Sequence, residues 1–393
     1  MKKFMIFVAA AITLLLAACK PVDTDKDSNL EIVPPTGWID NLEHGKKLAK
    51  AFDKDILLYF SAVEQDEISS RLNENAFMQV DFINTLLNDF ILVNLDFSEK
   101  LFEAAKAAPD ASEEEQAAAK ALSAKLDKNI RLARLYSING TPTFFILSKE
   151  GYVVKSFNFF EMRPDFNPYA PEAQNAKVDD IIRILSKEEI LAQIEAAKTD
   201  VADFNAKVAK AWNGTKDERI EAINAIFDSA DFQHQYFLTD LSKALVKLDK
   251  DNASNTVGKH LIAIANAETI DALLAEDFVA ASKISAKVAK NKFLTPDEKQ
   301  LQYYSAGYML TQSGSTDYPA IKKYFVAAYD ANPESENAEQ IKSLIAKIDE
   351  KIQEASAPKN KAPENTAPAS SAAEPEEPAA TVEPQPAEPQ AKE

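Results

Sequence analysis

Two rhythms of apolar residues divide the chain. From Trp38 to about Ser186, short continuous apolar runs alternate with stretches of helical spacing. "WIDNLEHGKKLAKAF" has helical periodicity, and "ILLYFS" (Ile56 to Ser61) is the unbroken run expected of a strand buried on both faces. A helix is expected over Glu67 to Asp89, then a second buried strand at "FILVNLDFS". A helix over Lys128 to Ile138 stops at Asn139-Gly140, and "TPTFFILS" gives a third strand. "KEG" turns the chain into a fourth strand, "YVVKSFNF", and "VDDIIRIL" is expected to close the unit as a helix. The order αβαβαββα implies a central mixed sheet with helices on both faces.

From 187 to 355 only helical spacing remains. Capping boxes mark starts at Ser186 with Glu189, Thr215 with Glu218, and Thr295 with Glu298, the last with Pro296 at the first helical position. Helices of this length joined by short loops predict antiparallel hairpins. Two segments sit outside the pattern. Residues 99–126 read as a helical hairpin inserted between the second strand and the third helix, capped by Ser112 with Glu115, and serving as a solvated decoration or a partner surface. Residues 161–176, rich in Pro and Asn, form an irregular excursion. The aromatics around it (Phe157, Phe159, Phe160, Phe166 and Tyr169) are expected in the core or packed on one another.

Composition sharpens this picture. Glycine is scarce (8 residues), which favours helix, and 62 acidic against 44 basic residues give a net charge of −18. A nucleic-acid partner is excluded in this reading, because phosphate contacts need clustered Lys and Arg, found only at the first residues. Residues 1–18 read as a signal peptide, two lysines before an apolar run too short to span a membrane. The run ends Leu16-Ala17-Ala18-Cys19, which resembles the lipobox of bacterial lipoproteins. The resemblance implies lipidation of Cys19, anchorage to the membrane and residence in the cell envelope. Lys20, rather than Asp, after the cysteine favours the outer membrane, facing the periplasm. Residues 19–35 form a polar tether whose "DTDKDSNLE" lacks the Gly and final Glu of a calcium loop. Residues 356–393, rich in Ala, Pro and Glu, bury too little to offset their ordering entropy and are expected to be a disordered tail.

The α/β region, about 150 residues, resembles the thioredoxin-like family. Trp38 in the first helical segment, the strand Ile56 to Ser61 running straight into a helix, and Gly140-Thr141-Pro142-Thr143 entering a strand carry the resemblance. It implies a cis proline at Pro142 across from the active site, with the backbone at Thr141 offered to an extended peptide. It also places the two redox cysteine positions on Asp66 and Ser69. Family chemistry needs a thiolate there. An aspartate instead suits a helix N-terminus, and the serine has no base nearby in sequence; His44, His234 and His260 are scattered. Farther on, "LQYYSAGYMLTQSGSTDYPAIKKYFVAAYDANPES" resembles one tetratricopeptide-type repeat within 295–335, with Ala306-Gly307 at the helix crossing and Tyr318, Phe325 and Ala328 inward. A repeat-like solenoid and a plain bundle both remain open for 187–355.

No phosphate-binding loop, dinucleotide fingerprint or Cys/His metal spacing occurs, so no cofactor and no metal are expected. Three functional readings follow. The first is a non-enzymatic adaptor holding an envelope protein or extended peptide at Thr141-Pro142. The second is an accessory to a thiol–disulfide oxidoreductase system. The third is a structural spacer.

Overall fold

The computed structural model describes residues 32–170, 173 and 175–356. The expected signal peptide, Cys19, most of the tether and the acidic tail lie outside the described residues.

The apolar runs form a four-stranded mixed sheet. β1 (Asp55–Ser61) pairs in parallel with β2 (Phe90–Asp96). β3 (Thr143–Leu147) runs antiparallel beside β1, and β4 (Val153–Phe157) antiparallel beside β3, giving the order β2-β1-β3-β4. Alternate residues of one strand enter different cores, which is why the runs are continuous rather than alternating. Leu57 and Tyr59 join Leu92, Phe144 and Ile146 on one face. Ile56, Leu58 and Phe60 join Val93, Leu95 and Phe145 on the other.

α1 (Leu42–Phe52) covers the second face through Leu48 and Ala49. The expected helix over Glu67 to Asp89 is broken: α2 (Glu67–Leu72) runs into a π-helical turn (Asn73–Phe77), and α3 (Val80–Leu86) follows. The wider π turn, closed by Met78 N–H donating to the Asn73 carbonyl at 2.9 Å, swings Phe77 round to the face of Leu72. Both are fully buried, and an unbroken α-helix would turn one of them away.

The inserted segment also differs from expectation. α4 (Glu99–Ala104) is short, and α5 (Glu113–Leu135) is a single 23-residue helix that merges the second arm of the expected hairpin with the helix placed at Lys128. Nothing between 113 and 135 can stop it; the stretch holds no Gly or Pro and starts at the expected Ser112–Glu115 capping box.

After β4 come β5 (Phe160–Met162), the single turn α6 (Val178–Ile181) and β6 (Ile182–Ile184), which pairs antiparallel with β5. "VDDIIRIL" is therefore divided between a single helical turn and a short strand. Its apolar spacing suits either state, and the partner strand decides, with Arg183 clamped between Glu161 and Glu189 on the polar side. Of the aromatics here, Phe157 and Phe159 are core, whereas Tyr169 is 93% exposed, against expectation. It lies in an excursion too polar to fold back over it.

α7 (Lys187–Asn213) is the helix that closes the sheet. Its Ile190, Ile194, Ala197 and Val201 pack with Leu57 and Phe144, while Val208 and Ala211 belong to the next core. α8 (Lys216–Ser229), a 3₁₀ segment (Phe232–Leu238), α9 (Thr239–Leu248), α10 (Val257–Leu274), α11 (Phe278–Val288), α12 (Pro296–Gln312), α13 (Tyr318–Ala331) and α14 (Ala338–Ser356) follow. Each helix packs on the next. The boxes at Ser186, Thr215 and Thr295 all form. Gly307 is needed at the α12–α13 crossing: a Cβ there would lie 3.0 Å from the Phe325 ring. Phe325 and Ala328 are buried at this crossing, with Tyr318 packed against them.

Candidate functional site

The end of the sheet where β1 and β2 finish gathers the residues expected from sequence. Register sets Ser61 beside Asp96 and Phe60 beside Thr143, so the β1–α2 turn, the end of β2 and the start of β3 share one edge.

Asp66 is the N-cap of α2. Its carboxylate accepts the Ile68 N–H at 3.0 Å and the Ser69 hydroxyl through its other oxygen. This satisfies a helix-end donor and sets a negative charge against the positive end of the helix, although so short a helix has only a small dipole. Ser69 is 0% exposed, and its oxygen also accepts the Ala62 N–H at 3.4 Å. The serine therefore does have a carboxylate beside it, which sequence spacing alone did not show. Its hydroxyl is nevertheless enclosed and committed to the cap. None of the three histidines is hydrogen-bonded to Asp66 or Ser69.

Beneath this turn lies Tyr59. Its ring stacks on Phe144 at 4.3 Å and meets Trp38 and Phe77 at 5.8 and 5.4 Å. Its hydroxyl is buried with the Ser61 and Ser69 hydroxyls nearby but makes no well-formed hydrogen bond to a described residue. Burial, with the Asp66 and Asp96 carboxylates nearby, pushes the phenol far above its ordinary range. Asp96 gathers the Ser61 hydroxyl (3.2 Å) and the Val63 and Ser98 N–H groups (3.3 and 3.2 Å), all on one oxygen, Oδ1. Ser61 also donates to Asn94 Oδ1 at 2.9 Å.

On the β3 side the Thr141-Pro142 peptide is cis, as expected, and Pro142 is buried. Thr143 is locked into β3 and bonds the Gly140 carbonyl through its hydroxyl at 2.7 Å. Gly140 is exposed and Thr141 half-buried, and neither enters a backbone hydrogen bond with another described residue.

The outer edge of β2 carries a feature that sequence reading missed. Ile39 lies beside Val93 as a one-residue parallel bridge, and below it a half-open cleft of about 240 Å³ opens between the edge and the N-terminal two-thirds of α5. Leu101, Leu122 and Leu126 form apolar walls; Asn94, Asp96 and Asn129 supply polar groups; a Lys125–Asp40 ion pair lies at the rim. The segment read as a decoration is thus one wall of the cleft. The signal available in sequence was Asn129, a carboxamide on the apolar side of a long helix.

A serine–histidine contact does occur, in the helical half. Ser242 Oγ lies 2.9 Å from His260 Nδ1 and Asn224 Oδ1 lies 3.2 Å from His260 Nε2, a pair of hydrogen bonds that fits the neutral imidazole protonated at Nε2. Ser242 and His260 are fully enclosed, and burial lowers the His260 pKa to about 4, with Lys259 acting in the same direction. This is a satisfied core network with no access for a substrate. Among the described residues, no group of acidic, His or Cys side chains is arranged to hold a metal ion, and no helix is long and apolar enough to cross a membrane.

Comparison with known proteins adds two similarities. Residues 256–354, from α10 to α14, match the family TP_0391_C, described as an uncharacterised protein C-terminal domain. A solved structure described as DsbH Oxidoreductase matches with 17% identity and a TM-score of 0.23, over 38% of this chain and 85% of that one. No curated protein matches.

Proposed function

We propose that the chain is a membrane-anchored, redox-inactive thioredoxin-like lipoprotein that acts in the cell envelope as a protein-binding adaptor. Its binding edge is Thr141-Pro142, and its ligand is an extended peptide or partner loop. The observation that carries this reading is the Thr141 backbone, which enters no backbone hydrogen bond with another described residue, two residues before Thr143 pairs with Phe60 of β1. Unpaired main chain leading into a sheet is the substrate of strand addition, in which main-chain bonds give affinity and side-chain pockets give selectivity.

The thioredoxin-like assignment rests on the parallel β1–β2 unit followed by the β3–β4 hairpin, with helices on both faces. Redox inactivity rests on the residues at the two family cysteine positions. Asp66 is spent on capping α2 and Ser69 is enclosed, so neither offers an accessible nucleophile. Anchorage rests on the lipobox-like sequence at Cys19.

The test is photo-crosslinking in cells from position 141, with exposed Lys207 as the control position, followed by mass spectrometry. A dominant protein adduct specific to position 141 is expected. A folded, anchored chain that yields no adduct from 141 would move the assignment to the structural-spacer reading.

A further inference from the structure

The cleft at the outer edge of β2 has the chemistry of a binding site distinct from the Thr141 edge. Asn129 is only 5% exposed and lines the cleft, and its carboxamide makes no hydrogen bond to another described residue. Its amide atoms are not sealed from solvent, so they face the cleft and are open to whatever occupies it. Asp96, on the adjacent wall, receives its three protein donors on Oδ1, which leaves Oδ2 unbonded.

The charge of the cleft fixes the sign of its ligand. Lys125 is paired with Asp40, so those two charges offset each other, and Asp96 is left as the uncompensated charge. The whole chain, at −18, attracts cations at long range. The leucine walls, in turn, suit an aliphatic stem. A single carboxylate with two carboxamides is too little negative charge for a divalent metal, which takes several oxygen ligands including carboxylates.

We propose that this cleft binds a primary ammonium group on a short aliphatic stem, with Asp96 and Asn129 receiving the ammonium and Leu101, Leu122 and Leu126 packing on the stem. Such a group comes from a free alkylamine or from a lysine side chain. Two or three charge-assisted hydrogen bonds in a half-enclosed site give selectivity for the charged head over a neutral one of the same shape. The site does not depend on the adaptor reading, because crosslinking from position 141 and amine binding at Asp96 are measured separately.

The experiment is ligand-observed NMR titration of the full chain with butylammonium, neutral butan-1-ol, and Nα-acetyl-lysine amide. Saturable butylammonium binding is expected, with butan-1-ol at least about tenfold weaker, or 1.4 kcal/mol. Asp96→Asn keeps the acceptor for Ser61, Val63 and Ser98 and should lose at least about tenfold in affinity. Leu122→Trp, which fills the cleft from a partly exposed position, should abolish binding while circular dichroism and unfolding remain those of the parent. Tighter binding of the acetylated lysine amide assigns the site to a protein side chain; binding of butylammonium alone assigns it to small amines. Equal binding of butan-1-ol and butylammonium, an unchanged affinity in Asp96→Asn, or no saturable binding by a folded chain would overturn the proposal.

Discussion

The two halves of the molecule pack in opposite ways. In the α/β half, rings from distant segments meet around Tyr59: Trp38, Phe77 and Phe144 reach it from a loop, a π turn and a strand. The buried Tyr59 hydroxyl at the centre makes no well-formed hydrogen bond. In the helical half each helix packs on its sequence neighbour and small residues hold the crossings; of its two buried histidines His260 is bonded at both ring nitrogens, whereas His234 Nε2 is left without a partner. The difference teaches where function can reside. A core assembled from remote segments brings distant polar groups to a shared edge, where a ligand can meet them; a core of sequence neighbours is built to persist.

The largest effect should come from the ring cluster. Phe144→Ala removes the stacking partner of both Tyr59 (4.3 Å) and Phe77 (4.8 Å) and should cost about 3–5 kcal/mol in denaturant unfolding. If the halves differ as argued, amide exchange should accelerate first over β1–β4 and last over α11–α14. Uniform acceleration would break the comparison.

Next is the acid response of the helical half. The His260 pKa falls from 6.5 unfolded to about 4 folded, so between those values the unfolded chain binds the extra proton. Stability from this group is fully present above pH 6.5 and is lost as pH falls toward 4, by about 3 kcal/mol at most. His260→Gln should flatten that part of the pH–stability curve; an unchanged slope would locate acid sensitivity elsewhere.

Gly258 tests the close approach of neighbours. A Cβ there would meet the Phe293 carbonyl oxygen at 2.5 Å, so Gly258→Ala, despite its better helix propensity, should destabilise by about 1–3 kcal/mol in thermal melts. The smallest effect carries the opposite sign. Tyr59→Phe deletes a buried hydroxyl with no well-formed hydrogen bond and should raise stability by about 1 kcal/mol, whereas a loss would mean that the nearby Ser61 and Ser69 hydroxyls satisfy it.

Sequence legibility follows the same division. Capping boxes at Ser112, Ser186, Thr215 and Thr295 were readable because they are local, needing two residues three apart. β1 to β3 were readable because burial on both faces leaves an unbroken apolar run, and β4 because the Lys149-Glu150-Gly151 turn sets it after β3. The π turn at Asn73–Phe77 and the β5–β6 ribbon were not, since each is decided by a partner elsewhere: a core that needs both Leu72 and Phe77, and a strand that needs Phe160–Met162. At the candidate site, Asp66, Ser69, Thr141 and Pro142 could be placed by counting from a motif. Asp96 and Asn129 could not, because their meeting is a property of the sheet edge and of the unbroken length of α5.

α7 has one further consequence. At 27 residues it is about 40 Å long, and its two ends serve two different cores. The chain therefore has no clean seam at its start. A fragment ending at Leu185 would leave Leu57, Phe144 and their neighbours without the helix that covers them. A fragment beginning at Ser186 would carry Ile190, Ile194 and Val201 as a bare apolar ridge. Any attempt to express the halves separately has to give the whole helix to the first piece and expect the second, beginning near Thr215, to miss the contacts of Val208 and Ala211.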